Sequence, residues 1–267
     1  MTREPVPASL AARLAGDPRL DGWPDLEYHA EIGSTNDRAL ALAAAGAPEG
    51  TAVLAEAQVA GRGRRGRDWF SPPGAGLYLS VVARPGARAL PLVTLAAGVA
   101  LARAVTTATA LPVELKWPND LVIGRPWRKL AGVLAEASAV GGRVEAVVIG
   151  IGVNVRAAAY PPALAGIATA LEVELGREVD RDRVLAELLA ALRASFARLA
   201  SDPGPGILAD WRVFGRAGLG RAVRWTDAGG ERRGVARDVG PDGALEVATD
   251  RGPERLIAGE VTWERLS

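Results

Sequence analysis

One change in the hydrophobic pattern constrains the fold of this chain more than any other feature. Up to about residue 200, helical and strand-like periodicities are mixed, whereas from residue 221 onwards short strands alternate with the turns DAGG, GPDG and DRGP. Such turns join antiparallel strands, and the turn-rich segment SDPGPG at 201–206 lies between the two patterns. We therefore predict a larger domain of helices and strands at 1–214 and a small, barrel-like β domain at 215–267.

The same periodicity locates the elements of the larger domain. Its clearest amphipathic helix has Val184, Leu188, Leu192 and Phe196 at spacings of four, and a Gly-Gly pair at 141–142 indicates a hairpin between two strands. The predicted helices span 9–15, 38–45, 93–110 and 180–200, and the predicted strands span 51–57, 77–83, 113–116, 129–137 and 143–153.

Composition excludes or disfavours several kinds of site. The chain has no cysteine and one histidine, so disulfide and thiolate chemistry are excluded and a zinc cluster or serine–histidine triad is disfavoured. A net charge of +1 argues against whole-surface attraction to nucleic acid or membrane. The N-terminal segment lacks the apolar run of a signal peptide, and the apolar segment 92–102 is too short to span a bilayer before Arg103. We predict a soluble, cytoplasmic protein.

Lysines and amides are rare in this chain and fall into a few segments. Thirty arginines stand against two lysines, and there are three asparagines and one glutamine. A bias of this kind suggests GC-rich coding, under which a lysine survives where the geometry of an ammonium group matters. The six rare residues are Asn36, Gln58, Lys116, Asn119, Lys129 and Asn154.

The segment GRGRRGR at 61–67 places four arginines among three glycines. Glycine allows a close approach of the backbone to a ligand, and the arginines repel one another until an anion neutralises them. The pattern predicts a mobile loop that orders around phosphate. A solvated surface loop and a basic tract for nucleic acid are the alternatives.

The residues beside this loop suggest the kind of ligand. Trp69 follows the loop and could stack on a base, or it could simply belong to the core. Gln58 precedes it on an otherwise apolar strand, and its amide suits a neutral ligand with an amide-like or ureido group.

Two further segments carry polar residues at the ends of strands. In KWPND, Pro118 fixes a turn from which Asn119 and Asp120 project, and Asp120 could bind a metal or an amine or form an Asx turn. Lys129 begins the apolar strand KLAGVLAEA, where it could bind a carboxylate or phosphate or extend to solvent. In GIGVN, a buried strand ends at Asn154 like the floor of a ligand pocket. We assign no role to His29 and expect it to be exposed or half-buried.

The five motifs STN, QxAGRGRRGRxW, KWPND, RKLAG and GIGVN, in this order, closely resemble the biotin protein ligase family. The resemblance extends over residues 28–265. It implies an α+β fold: a class II aminoacyl-tRNA-synthetase-like catalytic domain with a mixed sheet and flanking helices, followed by an SH3-like β-barrel. Such enzymes use ATP and Mg²⁺ to convert biotin to biotinyl-5′-AMP, release pyrophosphate, and transfer biotin to a lysine of a biotin carboxyl carrier domain.

The resemblance also assigns roles to individual residues. Lys129, Arg64 and Asp120 would be catalytic: Lys129 would meet the reacting carboxylate and the α-phosphate, and Asp120 would orient the acceptor lysine. Trp69 would stack on adenine. Nucleotide contacts would come from Arg65, Arg67, Trp69, Asn119 and Asn154, and biotin would be bound by Ser34, Thr35, Asn36, Gln58, Gly61, Arg62, Gly63, Arg64, Lys129 and Gly132.

Some members of this family carry an N-terminal helix-turn-helix domain and repress transcription. Here about 27 residues precede the catalytic pattern, so we expect no DNA binding. Membrane binding is not expected either, and a homodimer is compatible with the sequence. A lipoate or octanoate ligase of the same architecture, and a nucleic-acid-binding module that uses the arginine loop, are the alternative functions.

Overall fold

The computed structural model describes residues 4–23, 25–227, 230–257 and 261–264. The helices of more than four residues are α1 (Ala8–Ala15), α2 (Thr35–Ala44), α3 (Val93–Thr109), α4 (Leu171–Leu175), α5 (Arg181–Ser201) and α6 (Pro205–Gly215). The strands are β1 (Leu26–Ile32), β2 (Ala52–Gln58), β3 (Gly76–Ala83), β4 (Glu114–Lys116), β5 (Asp120–Ile123), β6 (Arg128–Val140), β7 (Arg143–Asn154), β8 (Ala222–Asp227), β9 (Gly230–Val239), β10 (Leu245–Thr249), β11 (Gly252–Leu256) and β12 (Thr262–Trp263).

Two sheets organise these strands. The larger has the order β1-β2-β3-β7-β6-β5-β4, in which β1 and β2 are parallel and the other neighbours are antiparallel. The smaller is antiparallel throughout, with the order β11-β10-β9-β8-β12. A mixed sheet with helices, followed by a separate antiparallel sheet, confirms the predicted fold class. The domain boundary at 214/215 stays a prediction.

The core of the protein is built on α3, which contacts α5, α6 and the larger sheet. Its Ala- and Leu-rich sequence allows close contact on most sides, and residues such as Ala96, Ala97 and Leu101 are almost fully buried. The segment Leu90–Thr109 is long and apolar enough to cross a membrane, which the shorter run ending at Arg103 did not suggest. About two-thirds of its most apolar window (67%) is buried inside the protein, as in a core helix.

Most predicted elements are present. The structure also contains elements that were not predicted, and for β1, α6 and β5 the reason is physical. The last of the short strands predicted beyond residue 221, RLIAGEV at 255–261, lies partly outside the described residues. Strand β1 was not predicted because Glu27 and His29 occupy buried positions and disguise its alternation. Helix α6 was missed because SDPGPG indicates a turn, whereas Pro205 stands in the first turn of this helix, where proline is well tolerated. Strand β5 has only four residues.

The prediction that His29 is exposed or half-buried is wrong: the residue is buried, with 2% of its surface exposed. Its Nε2 lies 2.7 Å from a carboxylate oxygen of Glu27, and Arg38 of α2 donates to the same carboxylate from its Nε at 2.6 Å. Helix α2 is therefore tied to β1 by a charged group at the edge of the core. Because the Arg38 guanidinium donates hydrogen bonds to it, the pKa of Glu27 is lowered to about 2.

We expect Glu27→Gln to destabilise the protein in a pH-dependent way. A carboxyl group whose pKa is lower in the folded state contributes stability above its ordinary pKa of 4.5, and this contribution disappears as the pH falls towards 2. The free energy of unfolding should fall by about 2 kcal/mol at pH 7, and the difference from the unmodified protein should shrink below pH 4. Urea unfolding at several pH values measures this. Glu31→Gln, at an exposed position of the same strand, is the control.

Candidate active site

A cavity of about 630 Å³ lies over the middle of the larger sheet. Of the sixteen predicted site residues, all but Gly61 line it, and so do all six rare lysines and amides. Only 33 of the residues that the structure describes contribute to this lining, so the rare residues are strongly concentrated there. The predicted site residues therefore form one site, although their individual roles stay predictions.

The floor of the cavity is a pair of glycines on adjacent strands. Gly132 of β6 pairs with Gly152 of β7, and Asp120 of β5 pairs with Gly132. Residues paired in this way present their side chains on the same face of the sheet. The two glycines leave a shallow trough in the sheet surface, and the carboxylate of Asp120 stands at one end of it.

Trp69 fills this trough. A Cβ atom built on Gly152 would lie 2.3 Å from Cε2 of the indole, and one built on Gly132 would lie 3.2 Å from Cζ3. The glycines are thus required for the close approach of the indole to the sheet. The indole Nε1 is buried and donates to no group among the described residues.

Lys129 lies between the indole and the carboxylate. Its Nζ is 5.2 Å from the centre of the Trp69 ring and 2.6 Å from an oxygen of Asp120. The backbone of Lys129 is also fixed, since its N–H donates to Ile167 and its carbonyl accepts from Thr169. The ammonium group is therefore held at the edge of the cavity by an ion pair that an anionic ligand could replace.

A hydrogen-bonded amide forms the other end of the cavity. The Oε1 atom of Gln58 accepts from the Thr35 backbone N–H at 2.9 Å, and its Nε2 donates to Ser71 at 3.0 Å. These contacts fix the orientation of the amide. Gly61 lies beside it, because a Cβ at that position would be 2.7 Å from the Ser71 hydroxyl and 3.1 Å from Nε2 of Gln58.

Below this amide, a buried network connects α2 with the sheet. Ser34 caps α2, and the first turn of this helix brings Asn36 against Gly150, where a Cβ would lie 2.2 Å from the Asn36 oxygen. The Asn36 amide donates to Glu136 at 2.6 Å and accepts from Ser80 at 2.5 Å. This network holds the STN segment at the cavity wall.

The arginine loop is attached to the rest of the site at two points. At its start, Arg62 forms ion pairs with Asp37 at 2.6 Å and with Glu136 at 2.9 Å. Further along, Arg64 donates to the Asn119 oxygen at 3.1 Å. Arg62 thus faces two carboxylates in this structure, and its predicted contact with biotin stays a prediction. A residue between two acids anchors the loop.

Asn119 and Asn154 also have structural contacts. Asn119 donates to the carbonyl of Val133 at 2.8 Å, which fixes the turn after β4. Asn154 donates to the carbonyl of Thr169 at 2.9 Å and so ties the end of β7 to the chain beside Lys129. The predicted nucleotide contacts of both residues are not tested by these bonds.

Several residues of the site that act through their neighbours were not predicted from the sequence. Glu136 holds both Arg62 and Asn36, and Ser80 and Ser71 complete the amide network. The one available signal was a polar residue inside an apolar strand, as with Ser80 in LYLSVVA and Glu136 in KLAGVLAEA. Lys116 lines the cavity as well.

The cavity is strongly cationic. Within the described part of the chain, the lining carries six lysine or arginine side chains and two carboxylates, Asp68 and Asp120. Most of these cations lie on the loop and on the β4–β6 side. Near Gln58 the lining is uncharged apart from Arg62, whose charge is offset by Asp37 and Glu136. The arrangement suits an elongated ligand with a neutral polar head and an anionic remainder.

Known proteins share both the sequence and this architecture. Residues 29–154 match the Biotin/lipoate A/B protein ligase family, and residues 218–262 match the Biotin protein ligase C terminal domain. A biotin--[acetyl-CoA-carboxylase] ligase of Mycobacterium tuberculosis is 39% identical over 253 residues, which cover 91% of each chain. This chain belongs to the biotin protein ligase family.

Other members support the assignment. The bifunctional ligase/repressor BirA of Bacillus subtilis is 33% identical, over 88% of this chain and 73% of that protein. The biotin protein ligase of Aquifex aeolicus, solved with biotin and ATP, is 28% identical and superimposes with a TM-score of 0.77 over 91% of this chain and 99% of that one. The ligase of Leishmania major with biotinyl-5-AMP is 25% identical, with a TM-score of 0.61 over 88% of this chain and 99% of that one.

Replacing Glu136 with Gln should loosen the arginine loop. Charge-assisted hydrogen bonds between partly exposed groups contribute up to about 1 kcal/mol, so the loop should open about fivefold more often. Limited trypsin digestion measures this, because trypsin cleaves after the loop arginines. Glu145→Gln, which removes an exposed partner of Arg143 on β7, is the control. Equal cleavage rates in the two variants would contradict the anchoring role of Glu136.

Proposed function

We propose that the chain is an ATP-dependent biotin protein ligase, which forms biotinyl-5′-AMP and transfers biotin to a lysine of a carrier domain. The observation that carries this proposal is the division of one cavity into a neutral amide-lined end at Gln58 and a cationic end at Lys129. A ureido ring needs the first environment, and a carboxylate beside a nucleotide phosphate needs the second. Membership of the family supports the same assignment.

In this proposal the head of biotin lies against Ser34, Thr35, Asn36 and Gln58. The amide of Gln58 is oriented by Thr35 and Ser71, so that it presents a defined pattern of donor and acceptor to a ureido group. Gly61, Gly63 and Gly132 allow the backbone to approach the ligand, and Arg62 fixes the base of the loop. Trp69 covers the chain of the acid and stacks on adenine.

The first reaction joins two anions. A carboxylate oxygen of biotin attacks the α-phosphorus of ATP, and the bond from that phosphorus to the oxygen bridging to the β-phosphate breaks. Lys129 leaves Asp120 and stabilises the charge shared by the carboxylate and the α-phosphate. Arg64, Arg65 and Arg67 hold the phosphates, and Asn119 and Asn154 contact the nucleotide. The loop then excludes water from the mixed anhydride.

The second reaction transfers biotin to an amine. The ammonium group of the acceptor lysine first releases a proton to water, and the resulting amine attacks the carbonyl carbon of biotinyl-5′-AMP. An amide bond forms, the bond from that carbon to the phosphate oxygen breaks, AMP leaves with its electron pair, and the extra proton on nitrogen passes to water. Asp120 accepts hydrogen bonds from the incoming ammonium group and orients it, a role for which its place at the end of the Gly132–Gly152 trough suits it. No covalent intermediate with the enzyme is needed.

The cavity also fits a magnesium ion that arrives with the nucleotide. No cluster of three acidic or histidine ligands occurs among the residues that the structure describes. Magnesium bound to ATP takes most of its ligands from phosphates and water, so that one or two carboxylates such as Asp120 and Asp68 are sufficient. Bound there, the ion would neutralise charge on the phosphates.

The protein partner in this proposal is a biotin carboxyl carrier domain, and the proposed site of action is the cytoplasm. The predicted domains, 1–214 and 215–267, would both contribute to the site. Val261 lines the cavity, and the Trp117 indole in the β4–β5 turn donates to the carbonyl of Gly243 at 2.9 Å. A homodimer and the absence of DNA binding stay predictions.

Transfer of labelled biotin to a purified carrier domain tests the proposal. We expect ATP-dependent labelling of the carrier and none of a carrier whose target lysine is replaced by arginine. A lipoyl carrier domain, offered with labelled lipoate or octanoate, should stay unlabelled. Labelling of the lipoyl domain instead would assign the chain to the lipoate ligase branch of the fold.

A further inference from the structure

One of the two lysines of the chain has no role in the reaction described above. Thirty arginines satisfy the need for positive charge elsewhere, yet both lysines line the cavity, together with only four of the arginines. Lys129 has a function in the proposal, whereas Lys116 has none. A lysine retained against this bias indicates a requirement for a compact ammonium group.

The pairing of the strands defines where Lys116 lies. It is the last residue of β4 and is paired directly with Asp120 of β5, which is paired in turn with Gly132 of β6. Lys116, Asp120, Gly132 and Gly152 therefore form one row across four strands on the cavity face. Lys129 reaches Asp120 from β6, whereas Lys116 lies on β4, so the two lysines stand on opposite sides of β5.

The residues that follow Lys116 are fixed by hydrogen bonds, and one of them places a second cation, Arg64, nearby. The next residue, Trp117, is almost fully buried, and its indole is bonded to Gly243. Two residues further on, Asn119 is bonded to Val133 and accepts from Arg64 of the loop. Lys116 thus stands beside the point at which the arginine loop meets the sheet, beyond Asp120 as seen from Trp69.

We infer that Lys116 binds the β- and γ-phosphates of ATP and then the pyrophosphate leaving group. The inference rests on the proposed function, because it assumes that Lys129 and Trp69 mark the site of the carboxylate and the adenylate. As the bond between the α-phosphorus and the bridging oxygen breaks, its electron pair moves to that oxygen. The Lys116 ammonium offsets the charge that develops on the pyrophosphate, and no proton needs to be transferred.

The two half-reactions separate this role from a general one. Pyrophosphate takes part in adenylate formation and is absent from transfer. In Lys116→Gln we expect the KM values for ATP and for pyrophosphate in biotin-dependent ATP–pyrophosphate exchange to rise about tenfold or more. The rate of transfer from purified biotinyl-5′-AMP to the carrier should stay within about twofold of the wild-type rate. Lys116→Arg should recover part of the lost exchange activity.

Arg125→Gln is the matched control. Arg125 lies between β5 and β6, is paired with Glu114 of β4, and does not line the cavity. Its exchange and transfer rates should be unchanged. Equal losses of exchange and transfer in Lys116→Gln would overturn the inference, because they indicate a structural role or an action through Asp120. Unchanged exchange would overturn it as well. If the unmodified protein shows no biotin-dependent exchange, the proposed function fails first.

Discussion

Replacing Lys129 with Met should lower the rate of adenylate formation by about 10²–10³-fold. The Lys129 ammonium group lies between the indole and Asp120, and methionine keeps much of the side-chain volume without the charge. Loss of one donor that stabilises charge in a transition state has an effect of this size. Single-turnover formation of biotinyl-5′-AMP, measured with saturating biotin and ATP, gives the rate.

Two controls separate this loss from a loss of structure. The melting temperature of Lys129→Met should fall by only a few degrees, because the ion pair with Asp120 is partly exposed and worth about 1 kcal/mol or less. Lys129→Arg keeps the charge but not the compact geometry and should retain part of the rate. A rate unchanged in Lys129→Met would remove this residue from the mechanism.

The second large effect should come from one added methyl group, in Gly152→Ala. Its Cβ would lie 2.3 Å from Cε2 and 2.4 Å from Nε1 of Trp69, so that the indole has to leave the trough. Because Trp69 borders the Lys129 ammonium, its displacement should also misplace the reacting groups. We expect the rate of adenylate formation to fall about 100-fold, since a shift of about 1 Å at a reacting centre has consequences of this order.

The matched control is Gly86→Ala. Gly86 is exposed and lies away from the cavity, and a methyl group added to it would meet no other atom within 4 Å. This substitution should leave both rate and stability unchanged. Tryptophan fluorescence of Gly152→Ala should report a more exposed indole, with Trp69→Phe identifying the contribution of that residue. Normal kinetics in Gly152→Ala would mean that the trough is not part of the reacting site.

Much of the fold follows from the sequence because its long elements are strongly periodic. The helix at Arg181–Ser201 and the hairpin of β6 and β7 agree with the pattern to within a few residues. Strand β1 could not be predicted in this way, because it carries the buried charged residues Glu27 and His29. Glu27 is paired there with Arg38 of α2, a contact that only the tertiary structure makes. A local pattern cannot show that a polar residue is buried when its partner comes from another element.

The residues of the site were likewise predictable only in part. Motif order identified the residues that line the cavity, since glycines, amides and lysines are rare or specially placed in those segments. It did not identify Glu136, which meets Asn36 across one hundred positions of sequence. Nor did the sequence show that two carboxylates, one from α2 and one from β6, lie within 3 Å of the Arg62 guanidinium. Charge in a loop shows that partners exist, but not which ones.

The central claim is that this cavity activates biotin with ATP, and pyrophosphate release measures it most directly. The protein is incubated with ATP and Mg²⁺ in four parallel reactions that contain biotin, lipoate, octanoate or no acid. We predict release with biotin alone, at a stoichiometry of one pyrophosphate per active site when no carrier domain is present. Release with lipoate or octanoate but not with biotin, or no release with any acid, would contradict the account.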